Sequence, residues 1–435
     1  MSELLFDPET HRRAGRLLGE FLAEYEVDLL DRPLMPAIQR NAMQAILNEP
    51  FPEEGRPMEA LLQEFRDVVV PNSTNVAHPR FLPYVLASPN GISAFADALA
   101  DTLNQNCNMW TLSPAANAIE QRVITWFHEL FHFPQGAGGI ITSGGSMANL
   151  TALAIARDTY LAGAARAEGL QCRPSPMRIY ISEQVHNSVD KAAVILGLGL
   201  DHVRHIPCDA QFQMRMDLLK EAVAQDRREG LSPFCVVGSA GTVTTGAIDP
   251  LDALADFCEE EGLWLHLNGA YGALAVLSDR LREQLLPAGR AHSLSLDPHK
   301  MLFTPLEAGC VLVRDAEAMH ATYSFVPSYL SLESEGVFFN YAEYGPQLSR
   351  SFKALKVWWS LRAYGRKAYA RTIDGLCDLA AYMGRRAKVA PELELMAPVT
   401  LNAVCVRCRD LSAEQNARVL ARLLSEDVAF LGKAT

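Results

Sequence analysis

The sequence predicts an α/β protein: a mainly parallel sheet with flanking helices, preceded by a helical segment and followed by a small α+β domain. Two observations carry that prediction. Between about residues 95 and 315, short β-branched apolar runs alternate with stretches of helical period, the pattern of strands joined by crossover helices. The runs are Gly139-Ile140-Ile141-Thr142, Met177-Arg178-Ile179-Tyr180-Ile181, Phe234-Cys235-Val236-Val237, Leu263-Trp264-Leu265-His266-Leu267 and Gly309-Cys310-Val311-Leu312-Val313. Most are continuously apolar rather than alternating, as strands buried on both faces are.

Three segments divide the chain. Residues 1–77 form an N-terminal helical arm, helical over 9–65, with Leu17, Leu18, Phe21, Leu22 and Tyr25 at helical spacing. Its apolar face packs on a partner subunit or on its own domain. Residues 78–350 form the large domain. Residues 351–435 form the small one, with helices over 352–371 and 373–389, strand-like runs at 393–397 and 402–408, and a helix near 411–424.

The 435 residues are 49% hydrophobic and 21% charged, with a net charge of −12. This is a globular composition, and an acidic balance with scattered basic residues argues against nucleic-acid binding. The first residues lack the features of a signal peptide, and no apolar run nears the ~18 residues of a membrane span. Nine cysteines spread from Cys107 to Cys408 without framework spacing. Reduced thiols and a cytoplasmic location are therefore expected. The lone Cys405-x-x-Cys408 pair reads as packing. His186, His266 and His299 are far apart, with no thiolate or carboxylate cluster beside them, so no metal site is expected.

The residues that carry chemistry follow the strand-like runs, where open parallel sheets gather ligands. Thr142-Ser143-Gly144-Gly145-Ser146 opens a helical stretch. Glycines there let the backbone approach an anion, free N–H groups favour a phosphate, and Ser146 adds a hydroxyl. The Gly-Lys-Ser/Thr of a nucleotide-binding loop is missing. His186 can stack on a flat ring and donate a proton, or serve as a structural hydrogen-bonder. In the loop from Ser239 to Pro250, Thr242 or Thr244 can bond a cofactor substituent, and Asp249 reads as a helix cap. Asn268 ends a buried run and needs a polar partner, such as a ring nitrogen. Lys300, in Asp297-Pro298-His299-Lys300, follows a Pro-broken strand end. A partly desolvated lysine there is a candidate Schiff-base nucleophile.

Together these segments resemble the pyridoxal-phosphate-dependent amino-acid decarboxylases of the aromatic-amino-acid and glutamate decarboxylase superfamily. The resemblance runs from His78-Pro79-Arg80-Phe81 through Ser113-Pro114-Ala115 to Tyr344-Gly345-Pro346-Gln347. It implies a fold-type I (aspartate aminotransferase-like) architecture, a homodimer, and pyridoxal 5'-phosphate as cofactor. It also implies that Lys300 captures the cofactor aldehyde and that His186 stacks on its ring. Gly144, Gly145 and Ser146 would cradle the phosphate with His299 and Asp297, while Thr242, Asn268 and Ala270 complete the surroundings. Tyr341 falls where the family carries a tyrosine that protonates the substrate carbon. Phe81, Tyr84 and Trp110 are expected substrate contacts.

Three departures qualify the match. The family pattern His-Val-Asp-(Ala/Gly)-Ala-(Tyr/Trp) reads His266-Leu267-Asn268-Gly269-Ala270-Tyr271 here. A carboxylate keeps the ring nitrogen cationic, whereas a neutral amide can only hydrogen-bond it. Met301 follows Lys300, where aromatic-type enzymes often have Trp and glutamate-type ones can have Met, so this position does not separate the two substrate classes. Set against the family, the sequence ends at Thr435 where further small-domain strands are expected, and truncation is the simplest reading. The expected function is decarboxylation of an L-amino acid, aromatic or medium apolar, to its amine and carbon dioxide. The alternatives are oxidative diversion of the same chemistry and a cofactor-binding relative with impaired turnover.

Overall fold

The computed structural model describes residues 6–36, 38–173, 175–325 and 339–434. By spatial proximity the chain forms two compact units: Pro89–Asp410, and Met1–Ser88 together with Leu411–Thr435. These boundaries differ from the three segments read from sequence.

Within Pro89–Asp410 lies a seven-stranded sheet: β1 (Gly138–Thr142), β2 (Met177–Ser182), β3 (Val203–Ile206), β4 (Ser232–Ser239), β5 (Trp264–Asn268), β6 (Ser293–Leu296) and β7 (Gly309–Val313). The order is β1-β7-β6-β5-β4-β2-β3. Strand β7 runs antiparallel to both of its neighbours, β1 and β6, while the remaining pairs are parallel. The other six strands therefore point the same way, and their carboxyl ends share one edge. Strand β4 is buried at every position, as a central strand covered on both faces must be. Strands β3 and β6 have four residues each, too few for a period to stand out in the sequence.

The helix Gly145–Tyr160 buries Ala148, Ala152, Leu153, Ile155 and Ala156, small and branched residues that let it lie close to the sheet. The two helices expected over 352–371 and 373–389 are one element, Ala354–Val389, broken at Gly365 (φ 67°). Glycine takes that left-handed conformation at little cost, which moves the break from its expected place. Strands β8 (Leu393–Leu395) and β9 (Val406–Cys408) form a separate antiparallel pair.

In the other unit, the helical stretch expected over 9–65 consists of the separate helices Pro8–Val27, Arg40–Leu47 and Met58–Glu64. Pro33, Pro36, Pro50, Pro52 and Pro57 fall between them and interrupt the helical hydrogen bonding. The helix Ala413–Ser425 begins with a Ser412–Gln415 capping box.

An ion pair with both side chains at most 4% exposed joins Arg350 to Glu120. Glu120 also accepts from Ile141 N–H at 2.9 Å, while Arg350 donates to the carbonyls of Cys107 (3.0 Å) and Ile141 (2.9 Å). The pair thus anchors β1 to the helix Pro114–Phe131. Replacing Arg350 with Met should cost about 3–5 kcal/mol, because Glu120 is left charged and unpaired. Denaturant unfolding should show a lower midpoint with an unchanged slope, and adding Glu120→Gln should recover part of the loss.

Candidate active site

A cleft of about 390 Å³ opens where the carboxyl ends of the co-directional strands meet, and every residue lining it belongs to Pro89–Asp410. Strand β1 delivers the glycine turn, β2 leads to His186, and β4 to Thr242. Strand β5 ends at Asn268, and β6 runs into Asp297 and Lys300. The turn is tightly enclosed: a Cβ on Gly309 of β7 would stand 2.4 Å from Gly144 Cα, and one on Gly145 would stand 2.8 Å from Ala270 Cβ. Only glycine leaves room at these contacts. The helix Gly145–Tyr160 starts here, so its first N–H groups, which lack intrahelical partners, favour an anion.

Lys300 lies on the short helix Pro298–Met301, with its Nζ 3.0 Å from Asp297 Oδ2. Asp297 is 2% exposed, and its Oδ1 is buried without a hydrogen-bond partner. His299 Nδ1 lies 2.7 Å from the Ala308 carbonyl, and Nε2 lies 3.6 Å from the same Asp297 Oδ2. Burial pushes the His299 pKa below the usual imidazole value. His186 is also shifted down, first by partial desolvation in the cleft and then by the Lys300 charge. Asn268 Oδ1 accepts from Ala270 N–H and from the Ser295 hydroxyl, both at 3.3 Å. The donor half of the amide, Nδ2, is then what Asn268 has left to offer. Thr242 lines the cleft, but its hydroxyl pairs with Thr245 (2.8 Å) and accepts from Ala247 N–H (3.1 Å).

These groups fit a phosphorylated pyridine aldehyde. The turn suits the phosphate, the Lys300 amine suits the aldehyde, and the orphaned Asp297 oxygen marks a polar site built for a further partner.

Gly144, Gly145, Ser146, His186, Thr242, Asn268, Ala270, Asp297, His299 and Lys300 all line this one cleft. Four expected residues are not among its lining. Tyr341 is 3% exposed in a buried cluster with Ile140, Ala148 and Val311, its ring centroid 4.9 Å from the Arg350 guanidinium. Burial drives its phenol pKa well up. Tyr341 thus packs in a hydrophobic cluster rather than in the cleft lining, in contrast to its expected place beside the substrate. Trp110 donates its backbone N–H to Asn340 Oδ1 at 3.1 Å. Phe81 and Tyr84 belong to the other compact unit, where both meet Phe430 edge-on. Asp249 does not cap the following helix. It accepts from Met214 N–H and Ser239 N–H, each at 2.7 Å. Asn149, Ser188, Tyr271 and Glu307 line the cleft without having been picked out as site residues. For Asn149 a signal existed, since it follows Ser146 by one helical turn. Among the described residues no group of His, Cys, Asp and Glu could hold a metal ion, and no helix is long and apolar enough to cross a membrane.

The chain belongs to the pyridoxal-dependent decarboxylases. The family model described as "Pyridoxal-dependent decarboxylase conserved domain" matches residues 41–409. An aromatic-L-amino-acid decarboxylase of Bacillus atrophaeus is 36% identical over 417 residues, covering 94% of this chain and 84% of that protein. Phenylacetaldehyde synthase of Petunia hybrida is 29% identical over 422 residues, covering 94% and 82%. The structure of Oryza sativa TDC with PLP and tryptamine superposes with a TM-score of 0.90 at 25% identity, covering 99% of this chain and 91% of that one. The fold is therefore fold-type I, the cofactor is pyridoxal phosphate, and the enzyme class is carboxy-lyase.

Beneath the cleft, His266 is fully buried, and desolvation takes its pKa down to about 4. Its unfolded value is about 6.5. Below pH 6.5 the unfolded chain binds a proton that the folded chain refuses, so stability falls as pH drops from 6.5 towards 4. The full effect is about 3 kcal/mol, from roughly 1.4 kcal/mol per unit. Asp249, raised to about 6 by burial, acts in the opposite sense between pH 3.8 and 6. Urea midpoints against pH should therefore be compared between the parent and His266→Gln, and the variant should show a smaller acid-side loss, because the other histidines shifted down keep their share.

Proposed function

We propose that the enzyme removes the carboxyl group of an aromatic L-amino acid, releasing carbon dioxide and the amine, and that it works as a cytoplasmic homodimer. The observation that carries this reading is the Lys300 amine, 3.0 Å from Asp297, in the same cleft as the glycine turn. The aromatic substrate is supported by the Bacillus relative's name.

Bound pyridoxal phosphate supplies an aldehyde to capture an amine and a ring that withdraws electrons from the bond to be broken. The chain's residues do the rest. Gly144, Gly145 and Ser146 would hold the phosphate through backbone N–H groups. Asp297 orients the Lys300 side chain through the 3.0 Å contact and leaves an acceptor oxygen in the site. His186 supplies a flat face beside the glycine turn.

Asn268 tempers this chemistry. Its amide would donate a neutral hydrogen bond to the ring nitrogen, where a carboxylate would hold a proton on it. A charge-assisted bond is worth about 1.5–3 kcal/mol, or roughly ten- to a hundredfold in rate if realised only in the transition state.

The second reading is decarboxylation coupled to oxygen, in which amino acid, oxygen and water give aldehyde, carbon dioxide, ammonia and hydrogen peroxide. The similarity to a phenylacetaldehyde synthase favours it, as does the uncharged Asn268. Tyr341, set in the hydrophobic cluster, does not argue against it.

Two measurements test the main reading. Borohydride reduction of cofactor-saturated protein, followed by peptide mapping, should place the label on Lys300; an unmodified Lys300 would sink both readings. Asn268→Asp should raise carbon dioxide release about ten- to a hundredfold, and an unchanged rate would show that Asn268 is no handicap.

A further inference from the structure

A continuous line of hydrogen bonds runs beneath the cleft from β5 to His186. Trp264 Nε1–H donates to Ser293 Oγ at 2.9 Å, and Ser293 Oγ lies 2.9 Å from His266 Nδ1. His266 Nε2 lies 2.9 Å from Asn149 Oδ1, and Asn149 Nδ2 donates to Ser188 Oγ at 2.9 Å. Ser188 Oγ lies 3.0 Å from His186 Nδ1. Ser293, His266, Asn149 and Ser188 are each at most 3% exposed, so water does not compete for the three bonds among them, while His186 at the end of the line is exposed.

With Asn149 Oδ1 turned to His266 and Nδ2 to Ser188, one set of proton directions satisfies the whole line. Ser188 also donates its backbone N–H to His186 Nδ1 at 3.2 Å, so that nitrogen carries no proton. The Ser188 hydroxyl must then donate to Nδ1 and accept from Asn149 Nδ2. This leaves Asn149 Oδ1 facing His266, so His266 Nε2 bears the proton and Nδ1 is bare. The Ser293 hydroxyl donates to that bare nitrogen and needs a donor of its own. Trp264 at the far end is an indole, which can only donate. The two ends agree.

We propose that this relay is a positioning device: Asn149, Ser188 and His266 lock His186 as the neutral Nε2–H tautomer, so that it presents an N–H rather than a lone pair to the cleft. The device links three parts of the site. Asn149 sits on the helix that begins at the glycine turn, Ser188 on the helix Ser188–Ile195, and His266 two residues before Asn268. Backbone displacement at one part is felt at the others through bonds that a low-dielectric interior strengthens. The inference deepens the proposed role of His186 and rests on that reading. Its readout is a proton position on a ring, so it can fail while Lys300 labelling succeeds, and the reverse.

The test is ¹⁵N-histidine NMR of the full-length, cofactor-loaded protein, with the His186 signal assigned by its loss in His186→Gln. In the parent, the one-bond N–H coupling should appear at Nε2 and not at Nδ1. Asn149→Asp offers only acceptors, so it draws the Ser188 proton away from His186. The Nδ1–H fraction should then rise about three- to tenfold, the equivalent of one neutral hydrogen bond. His266→Gln can donate to Asn149 and accept from Ser293, and should keep the parental tautomer. His266→Phe can do neither, and should shift it as Asn149→Asp does. The His266 pair serves if Asn149→Asp fails to fold, as judged by circular dichroism. A parent with the proton on Nδ1, or a folded Asn149→Asp or His266→Phe with the parental proton position, would overturn the proposal.

Discussion

A carboxylate at 2% exposure with one oxygen unbonded is costly to keep, and Asp297 is tolerated because the Lys300 amine stands 3.0 Å from its other oxygen. The position of this pair depends on the sheet. Asp297 directly follows β6, and Lys300 lies one turn further along a helix begun by Pro298. Gly145 faces the pair so closely that any Cβ would come within 3.0 Å of Asp297 Oδ2. The amine, the carboxylate and the anion-binding turn therefore share one small volume. The reading of the cleft as a cofactor site begins from that crowding.

Much of this was legible in the sequence because strand ends and glycine turns leave local marks. Lys300, the glycine turn, His186 and Asn268 each follow an apolar run, and parallel topology brings such positions to one edge. Tyr341 was not legible in the same way. Its position in a Phe339-to-Tyr344 stretch does not say whether the ring enters a core or a cleft; packing against Ile140 and beneath Arg350 decides that. Asp249 shows the same limit. A residue before proline and a helix looks like a cap, yet its two acceptor oxygens serve the backbone of β4 and of a segment some thirty residues away. Phe81, Tyr84 and Trp110 carried only an aromatic character, and aromatic rings fill cores as readily as pockets.

Asn268 and the relay beneath it are two sides of one electrostatic design. Along the relay each group is neutral, and each proton has a single direction. Asn268 continues the pattern: its oxygen is held by Ser295 and Ala270, and an amide nitrogen remains. An amide at position 268 adds no charge beside the Asp297–Lys300 pair, whereas a carboxylate there would add one. The fold, cofactor class and reaction class belong to the family. The strength of the electron sink is what we propose Asn268 sets in this chain.

The most direct measurement of the central claim is the product balance from a carboxyl-labelled aromatic L-amino acid incubated with cofactor-saturated protein in air. Labelled carbon dioxide and the matching amine should appear in equal amounts, with no hydrogen peroxide. Carbon dioxide accompanied by aldehyde and peroxide in place of amine, or no labelled carbon dioxide at all, would contradict the account.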